Sequence, residues 1–139
     1  MAYDNNNAFA RILRGELPCI RVYEDADTLA FMDIMPQADG HTLVVPRLAG
    51  EILIDTTPAA VAAAMLTTQR VARAVDQAFT PQGLVVTQFN RAAAGQTVYH
   101  LHFHVIPVYS AGAVRLHART PADFGVLEGH AARIRAALG

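Results

Sequence analysis

The stretch His100–Pro107, "HLHFHVIP", holds three of the six histidines of this chain, each separated from the next by one large apolar residue. Successive side chains of a β-strand point to opposite faces, and the chain rises about 3.3 Å per residue. The spacing therefore predicts a strand with His100, His102 and His104 in a row on one face, about 6.6 Å apart. The apolar residues between them face a core, where each buried side chain contributes roughly 1.5–3 kcal/mol to fixing the strand. These are Leu101, Phe103 and Val105.

The rest of the chain predicts an α+β domain with more strands than helices. Asn7 caps a short N-terminal helix that ends at Gly15 and Pro18. Residues 20–34 read as a hairpin around the polar turn 24–27. Further strands are predicted over 41–46, 84–90 and 98–109, and the short connections favour antiparallel pairing. The expected sheet has about five strands.

A long helix is predicted from Thr57, which precedes a proline at the first helical position, to about Phe79. Its apolar stripe is expected to consist of Val61, Met65, Leu66, Val71 and Val75. The tail over residues 121–138 is expected to be partly helical, although Gly125 and Gly129 weaken that prediction.

Composition excludes several classes of function. The 139 residues fit a single domain, 1–139, and no apolar run approaches the roughly 18 residues of a membrane span. The net charge of −1 gives no footprint for nucleic-acid binding. All eleven positive side chains are Arg, which excludes lysine-based nucleotidyl transfer and the P-loop. With Cys19 as the only cysteine and no evident signal peptide, we expect a cytoplasmic protein.

Three interpretations of the histidine row remain open from the residues themselves. Two histidines spaced by two on a strand can reach one metal ion. Alternatively, one neutral imidazole acts as a nucleophile while its neighbours donate hydrogen bonds. The histidines can also be an ordinary polar strand face. The loop just upstream favours the second interpretation, since Gly95 and Thr97 can form a small phosphate-binding nest from backbone N–H groups and a hydroxyl.

Together these motifs resemble the histidine triad (HIT) superfamily and, within it, the Hint-like bacterial proteins. The signature His-φ-His-φ-His-φ-φ, with φ apolar, is matched at every position of 100–106. The block "FMDIMPQADGHTLVVP" at 31–46 resembles the family's Asp-x-x-Pro…Gly-His-x-Leu-Val-x-Pro segment, and "FARILRGELPC" at 9–19 is a weaker third match. The similarity covers about Phe9 to Pro107 and leaves 108–139 as a tail without a counterpart. It implies a HIT-like fold and a homodimer.

The resemblance implies an enzyme that hydrolyses or transfers a nucleotidyl group without a metal or other cofactor. His102 would attack the α-phosphorus of a purine nucleoside phosphoramidate or related adenylate and form a covalent nucleotidyl-histidine. His104 would hydrogen-bond the phosphate or leaving group, His100 would orient the triad and relay protons, and His41 would buttress it. The residues that would bind the AMP-like part are Asp33, Ile34, Phe9, Phe31, Asn90, Gly95, Gln96 and Thr97.

Two departures from the family pattern matter. Many bacterial members hold a structural zinc with a Cys-x-x-Cys pair and two histidines, but the matching positions here are Asn7, Ala10 and Ala49, so no metal is expected. The tail also differs, and its His117 and His130 are expected to lie on the surface.

Other functions remain open beside the phosphoramidate hydrolase. They are a dinucleoside polyphosphate hydrolase, a nucleotide-binding module with little turnover, and a metal-dependent hydrolase using His100 and His102 as ligands. Neither nucleic acid nor a membrane is an expected partner.

Overall fold

A five-stranded antiparallel sheet forms the centre of the computed structural model, which describes residues 2–111 and 120–138. The strand order is β1-β2-β3-β5-β4, so among these described residues β4 lies at one edge and pairs with β5 alone. The α+β class and the five strands predicted from the sequence are therefore confirmed. The strands are β1 (Arg21–Glu24), β2 (Thr28–Met32), β3 (Thr42–Pro46), β4 (Gly83–Thr87) and β5 (Phe103–Val108).

The β1–β2 hairpin turns at residues 25–27, as predicted. Asp25 forms the turn with its own carboxylate, because Oδ1 accepts hydrogen bonds from the backbone N–H groups of Asp27 and Thr28 at 2.9 and 2.8 Å. An Asp side chain that bonds the backbone two residues onward is a typical local cause of a turn.

Helices α2 (Pro58–Phe79) and α3 (Phe124–Ala137) cover one face of the sheet. Thr57 caps α2 through its hydroxyl, and Pro58 occupies the first turn, as the sequence predicts. The predicted apolar stripe is only partly correct, because Met65 and Leu66 are 43% and 69% exposed. The helix instead packs closely on the sheet through small and β-branched side chains spaced at three and four residues. They are Ala64, Thr67, Thr68, Val71, Ala74 and Val75.

Helix α1 (Ala8–Leu13) lies on the opposite face of the sheet. Its N-cap is Asn7, whose side chain accepts from the Ala10 backbone N–H at 2.9 Å, as expected. Because side chains alternate along β2 and β3, these strands are buried on both faces. The side chains that pack towards α1 are Leu29, Phe31, Leu43 and Val45.

The final strand begins later than predicted. Residues 98–102 are not part of the ladder, and β5 starts at Phe103, which pairs with Val44. The reason is that the loop after β3 supplies irregular partners: the Leu101 N–H donates to the Gly50 carbonyl at 2.8 Å. The predicted alternation still holds, since Leu101, Phe103 and Val105 are buried in the core beneath α2.

The C-terminal helix confirms the partly helical tail. Asp123 caps α3 by accepting from the Val126 N–H at 3.2 Å. His130 was expected on the surface, but it is half-buried with its ring edge-on to Phe79 at 5.4 Å. His117 lies outside the described residues. Within the described ranges, none of the helices is both long and apolar enough to span a membrane.

Candidate active site

A cavity of about 590 Å³ opens on the α1 face of the sheet. The side chains of His41, His102 and His104 line it, whereas that of His100 does not. Most of the remaining wall is apolar. A cavity of this volume, with a few polar groups in an apolar lining, is typical of a site for a small organic ligand.

The His102 ring has its tautomer fixed by the backbone. Its Nδ1 lies 2.7 Å from the carbonyl oxygen of His100, and because a carbonyl only accepts, Nδ1 carries the proton. The neutral ring therefore keeps its lone pair on Nε2. The ring of Phe9 meets His102 edge-on at 4.8 Å between centroids and limits its rotation.

His41 and His104 form a second ordered pair beside His102. The Gln37 backbone N–H donates to His41 Nδ1 at 3.0 Å, which places the proton of neutral His41 on Nε2. That Nε2 lies 3.0 Å from His104 Nδ1 and 3.4 Å from Asp33 Oδ2. His41 thus donates to His104, and the proton of neutral His104 is left on its Nε2. The rings of His102 and His104 lie 5.0 Å apart.

The position of His41 depends on the glycine before it. Gly40 has φ +95°, a conformation that other residues rarely adopt. A Cβ at this position would also lie 3.0 Å from the ring of Phe79 and 3.3 Å from Pro107. The turn into β3 therefore requires glycine in order to bring His41 to the cavity.

Burial favours the neutral form of His41, His100 and His102. It is the main cause that lowers the pKa of His41 and of His102 from 6.5 to about 4 in each case, and it also lowers the pKa of His100. A neutral imidazole is the nucleophilic form, so at neutral pH His102 is in the form required for attack.

His100 lies behind the cavity, where it is fully buried. Its Nε2 donates to the Pro46 carbonyl at 2.7 Å, and its Nδ1 lies 2.5 Å from the Tyr3 hydroxyl. Of the three histidines predicted to share one face, His102 and His104 therefore line the cavity, whereas His100 lies behind it and supports the segment that precedes β5.

The donor set of the site does not suit a metal ion. Asp33, His41 and His104 offer ligand atoms within 4.8 Å of one another. However, the Gln37 N–H occupies the lone pair of His41 Nδ1, so His41 Nε2 carries a proton where a metal would need a lone pair. The other metal hypothesis, with His100 and His102 as joint ligands, also fails, because both nitrogens of His100 are hydrogen-bonded behind the cavity.

The loop before the histidine segment is organised by Gln96, which is buried. The Gln96 side chain accepts from the Arg91 N–H at 2.7 Å and donates to the carbonyls of Glu51 and Val98 at 2.8 and 3.0 Å. Gln96 was predicted to contact the nucleotide; it does not line the cavity, and its side chain holds the loop.

The other predicted site residues in and before this loop are Asn90, Gly95 and Thr97. The backbone N–H groups of Gly95 and Gln96 bond to the carbonyls of Ala92 and Arg91 at the 3-10 turn Ala92–Ala94, so these two N–H groups are not free to bind a phosphate. Gly95 and Thr97 nevertheless line the cavity. Asn90 is not in the cavity wall, and its side-chain amide pairs with that of Gln88 and accepts from the Leu53 N–H.

The predicted base-binding residues Phe9, Phe31 and Ile34 all line the cavity, as does Asp33. Phe9 and Phe31 pack edge-to-face at 5.3 Å and also belong to the core beneath α1. Sequence reasoning missed several other wall residues, whose apolar character alone gives no sign of a binding role. They are Ile12, Leu17, Pro18, Cys19, Met35, Leu43, Phe89, Val98 and Phe124.

The chain belongs to the histidine triad superfamily. The family model "HIT domain" matches residues 14–111, which include the whole histidine segment and the loop that carries His41. Together with the relatives below, it places the chain among HIT proteins of the bacterial Hint-like type.

Solved and curated relatives agree with this assignment. A crystal structure of a HIT-like protein involved in cell-cycle regulation from Bartonella henselae, with an unknown ligand, is 48% identical. It superimposes with a TM-score of 0.94 over 99% of this chain and 100% of that chain. The adenosine 5′-monophosphoramidase hnt1 of Schizosaccharomyces pombe is 34% identical over 71% of each chain. The adenylylsulfatase HINT3 of Arabidopsis thaliana is 37% identical over 74% of this chain and 52% of its own length.

Proposed function

We propose that this protein is a nucleotide hydrolase that cleaves purine nucleoside phosphoramidates or related adenylates through a covalent intermediate on His102. One observation carries the proposal: the bond from His102 Nδ1 to the His100 carbonyl leaves a neutral imidazole with its Nε2 lone pair at the wall of the cavity. The activities named for the relatives, a phosphoramidase and an adenylylsulfatase, support this class of substrate.

In the first step, His102 Nε2 forms a bond to the α-phosphorus as the bond from phosphorus to the leaving group breaks. A phosphoramidate releases an amine, which must gain a proton. The substrate nitrogen takes up this proton from solvent, because a neutral His104 that gave away its only ring proton would be left as an imidazolate. The Nε2–H of His104 instead donates a hydrogen bond to the phosphate or leaving group, while His41 holds the other nitrogen of the same ring as an acceptor.

In the second step, a water molecule attacks the phosphorus and the imidazole leaves with its electron pair. The proton lost by the water is released to solvent, which balances the proton taken up with the amine and leaves the three rings as they were at the start of the cycle. Covalent catalysis of this kind replaces one difficult displacement with two easier ones.

The rest of the cavity accounts for recognition of the nucleoside. Asp33 lies at the cavity wall, where its carboxylate can accept bonds from both ribose hydroxyls, and its Oδ1 is oriented by the Met35 N–H at 2.8 Å. Phe9, Phe31 and Ile34 provide apolar surfaces for the base. Gly95 and Thr97 line the wall beside the histidines and are proposed to contact the phosphate.

The protein is further proposed to act as a homodimer. Strand β4 is an edge strand with Val86 47% exposed, and α2 presents Met65 and Leu66 to solvent. Exposed strand edges and apolar side chains are costly unless they are covered. Light scattering coupled to gel filtration is expected to give twice the mass of one chain. Leu66→Glu is expected to lower the measured mass towards that of one chain.

The central test uses the purified protein with adenosine 5′-phosphoramidate, adenosine 5′-phosphosulfate and a dinucleoside tetraphosphate. The expected result is AMP release from the first two, with a protein mass increased by one adenylyl group after rapid quenching without acid. Preferred cleavage of the dinucleotide would favour the polyphosphate hydrolase instead. Tight binding of AMP without turnover of any substrate would identify a binding module and overturn the proposal.

A further inference from the structure

The region that carries His100 and His102 has little regular backbone support. Residues 98–102 precede β5 and lie outside the sheet ladder. The hydrogen bond from the Leu101 N–H to the Gly50 carbonyl is one of the few that fix this part of the backbone. Side-chain contacts must therefore hold the segment that positions the nucleophile.

Tyr3 makes such a contact from the other end of the chain. Its hydroxyl lies 2.5 Å from His100 Nδ1, and the two rings pack edge-to-face with centroids 5.7 Å apart. The two residues are 97 positions apart in sequence. Nothing in the histidine motif points to this partner.

The direction of the bond follows from the other side of the imidazole. The Pro46 carbonyl can only accept, so His100 Nε2 carries the proton at 2.7 Å from that oxygen. The lone pair of neutral His100 is then on Nδ1, and Tyr3 is the donor. Without the phenol, a fully buried nitrogen would lose its hydrogen bond, and the ring could rotate or change tautomer.

His100 in turn fixes the nucleophile. Its own carbonyl oxygen accepts the Nδ1 proton of His102 at 2.7 Å, which sets both the tautomer and the orientation of that ring. A shift of the His100 backbone therefore moves the carbonyl oxygen that orients the His102 ring.

From this chain of contacts we propose that Tyr3 is a positioning residue for the reaction: it locks His100 as the Nε2–H tautomer and thereby holds the carbonyl that orients His102. The inference rests on the proposed function for its kinetic consequence, but the tautomer of His100 can be measured without any substrate.

The test compares Tyr3→Phe with Tyr23→Phe. Both substitutions remove one hydroxyl, but the Tyr23 hydroxyl bonds to Asp25 at the β1–β2 turn, away from the cavity. For Tyr3→Phe we expect kcat for adenosine 5′-phosphoramidate to fall about tenfold with KM within about twofold, since one buried hydrogen bond is lost. Tyr23→Phe should leave both constants unchanged.

The second readout is the ring ¹⁵N spectrum of the histidines at neutral pH. In the wild-type protein, His100 should be protonated on Nε2 alone, with Nδ1 in the shift range of a hydrogen-bonded acceptor. In Tyr3→Phe the His100 signals should move towards a mixture of tautomers. A wild-type His100 protonated on Nδ1 would overturn the inference, and so would an unaltered tautomer or unaltered kcat in Tyr3→Phe.

The kinetic measurement and the ¹⁵N spectrum distinguish a failure of the proposed function from a failure of the role given to Tyr3. If no nucleotide is turned over by the wild type, the proposed function fails, whereas the spectrum still decides whether Tyr3 locks His100. If Tyr3→Phe unfolds, the wild-type spectrum alone tests the direction of the bond.

Discussion

His102 donates its Nδ1 proton to the carbonyl oxygen of His100, two residues earlier, at 2.7 Å. This bond orients a buried side chain and leaves its unprotonated nitrogen at the wall of the cavity, as the proposed role of His102 as nucleophile requires. A strand with strict alternation would not provide the bond: the segment departs from the sheet ladder at this point.

Replacing His102 with Ala is expected to abolish turnover while nucleotide binding stays within roughly tenfold, or about 1.4 kcal/mol. The reason is that, in the proposed mechanism, the imidazole forms the reacting bond, whereas the apolar wall and Asp33 provide the binding energy. Single-turnover assays and calorimetric titration with AMP measure the two properties. Turnover that persists at the wild-type rate would rule out the role given to His102.

The acid limb of kcat/KM is expected to lie well below pH 6.5. Burial lowers the pKa of His102 to about 4, so most of it remains neutral at about pH 5.5, where a histidine of ordinary pKa would be only about one-tenth neutral. The check is a pH series on adenosine 5′-phosphoramidate, with the uncatalysed hydrolysis subtracted at each pH. A limb centred near 6.5 would contradict a buried, neutral nucleophile.

The free energy of unfolding is expected to decrease as the pH is lowered from about 6.5 to about 4. The pKa values of His41 and His102 are about 4 in the folded protein and 6.5 when the chain is unfolded. Across this window the unfolded chain binds more protons, so acid favours unfolding, by an amount on the order of a few kcal/mol.

Urea titrations at several pH values measure this dependence. The matched variant is His102→Asn. In this variant the free energy of unfolding should depend less steeply on pH between 6.5 and 4, because one fewer histidine takes up a proton on unfolding. The lowered pKa of Asp25 acts only below its ordinary value of 3.8 and so falls outside the window. An unchanged slope in His102→Asn would show that His102 titrates normally in the folded protein.

Asp33→Ala is expected to weaken binding of ribonucleotides by about tenfold or more, since hydrogen bonds to a charged group contribute about 1.5–3 kcal/mol. The loss should be much smaller for a 2′,3′-dideoxyribose analogue, which lacks the hydroxyls that Asp33 is proposed to bind. Equal losses for the two ligands would mean that Asp33 acts through its contacts with Met35 and His41 instead.

Phe124→Ala is expected to raise KM for purine substrates several-fold with little change in kcat. Phe124 is the first residue of α3; it is 49% exposed and lines the cavity. The chain just before it is held in place by a hydrogen bond from the Ala122 N–H to the Ile34 carbonyl at 2.9 Å. Removing an aromatic side chain from the cavity wall is expected to weaken substrate binding and to leave the reacting atoms in place. Val126→Ala, 50% exposed on the same helix and absent from the cavity wall, is the control.

Local rules made much of the fold predictable. The alternation of Leu101, Phe103 and Val105 identified the face that packs on α2, and Asn7 and Thr57 identified the starts of two helices. The histidine motif also indicated two residues that line the cavity, His102 and His104, whereas its first histidine, His100, lies behind the cavity.

The parts that could not be predicted depend on contacts between distant residues. Hydrophobicity favoured Met65 and Leu66 as core positions, but close packing of α2 on the sheet selects smaller side chains such as Ala64. The inward turn of Gln96 depends on carbonyls at Glu51 and Val98, and no local pattern marks them.

The two faces of β2 and β3 serve different purposes, so the side chains on one face can change in evolution independently of those on the other. Ala30 and Val44 pack towards the large core with α2, whereas Phe31 and Leu43, adjacent to them in sequence, border the cavity. Substitutions at alternate positions can therefore alter ligand preference while the other half of each strand preserves the architecture. Descendants of one ancestral sequence can in this way acquire new substrates without first passing through unstable intermediates.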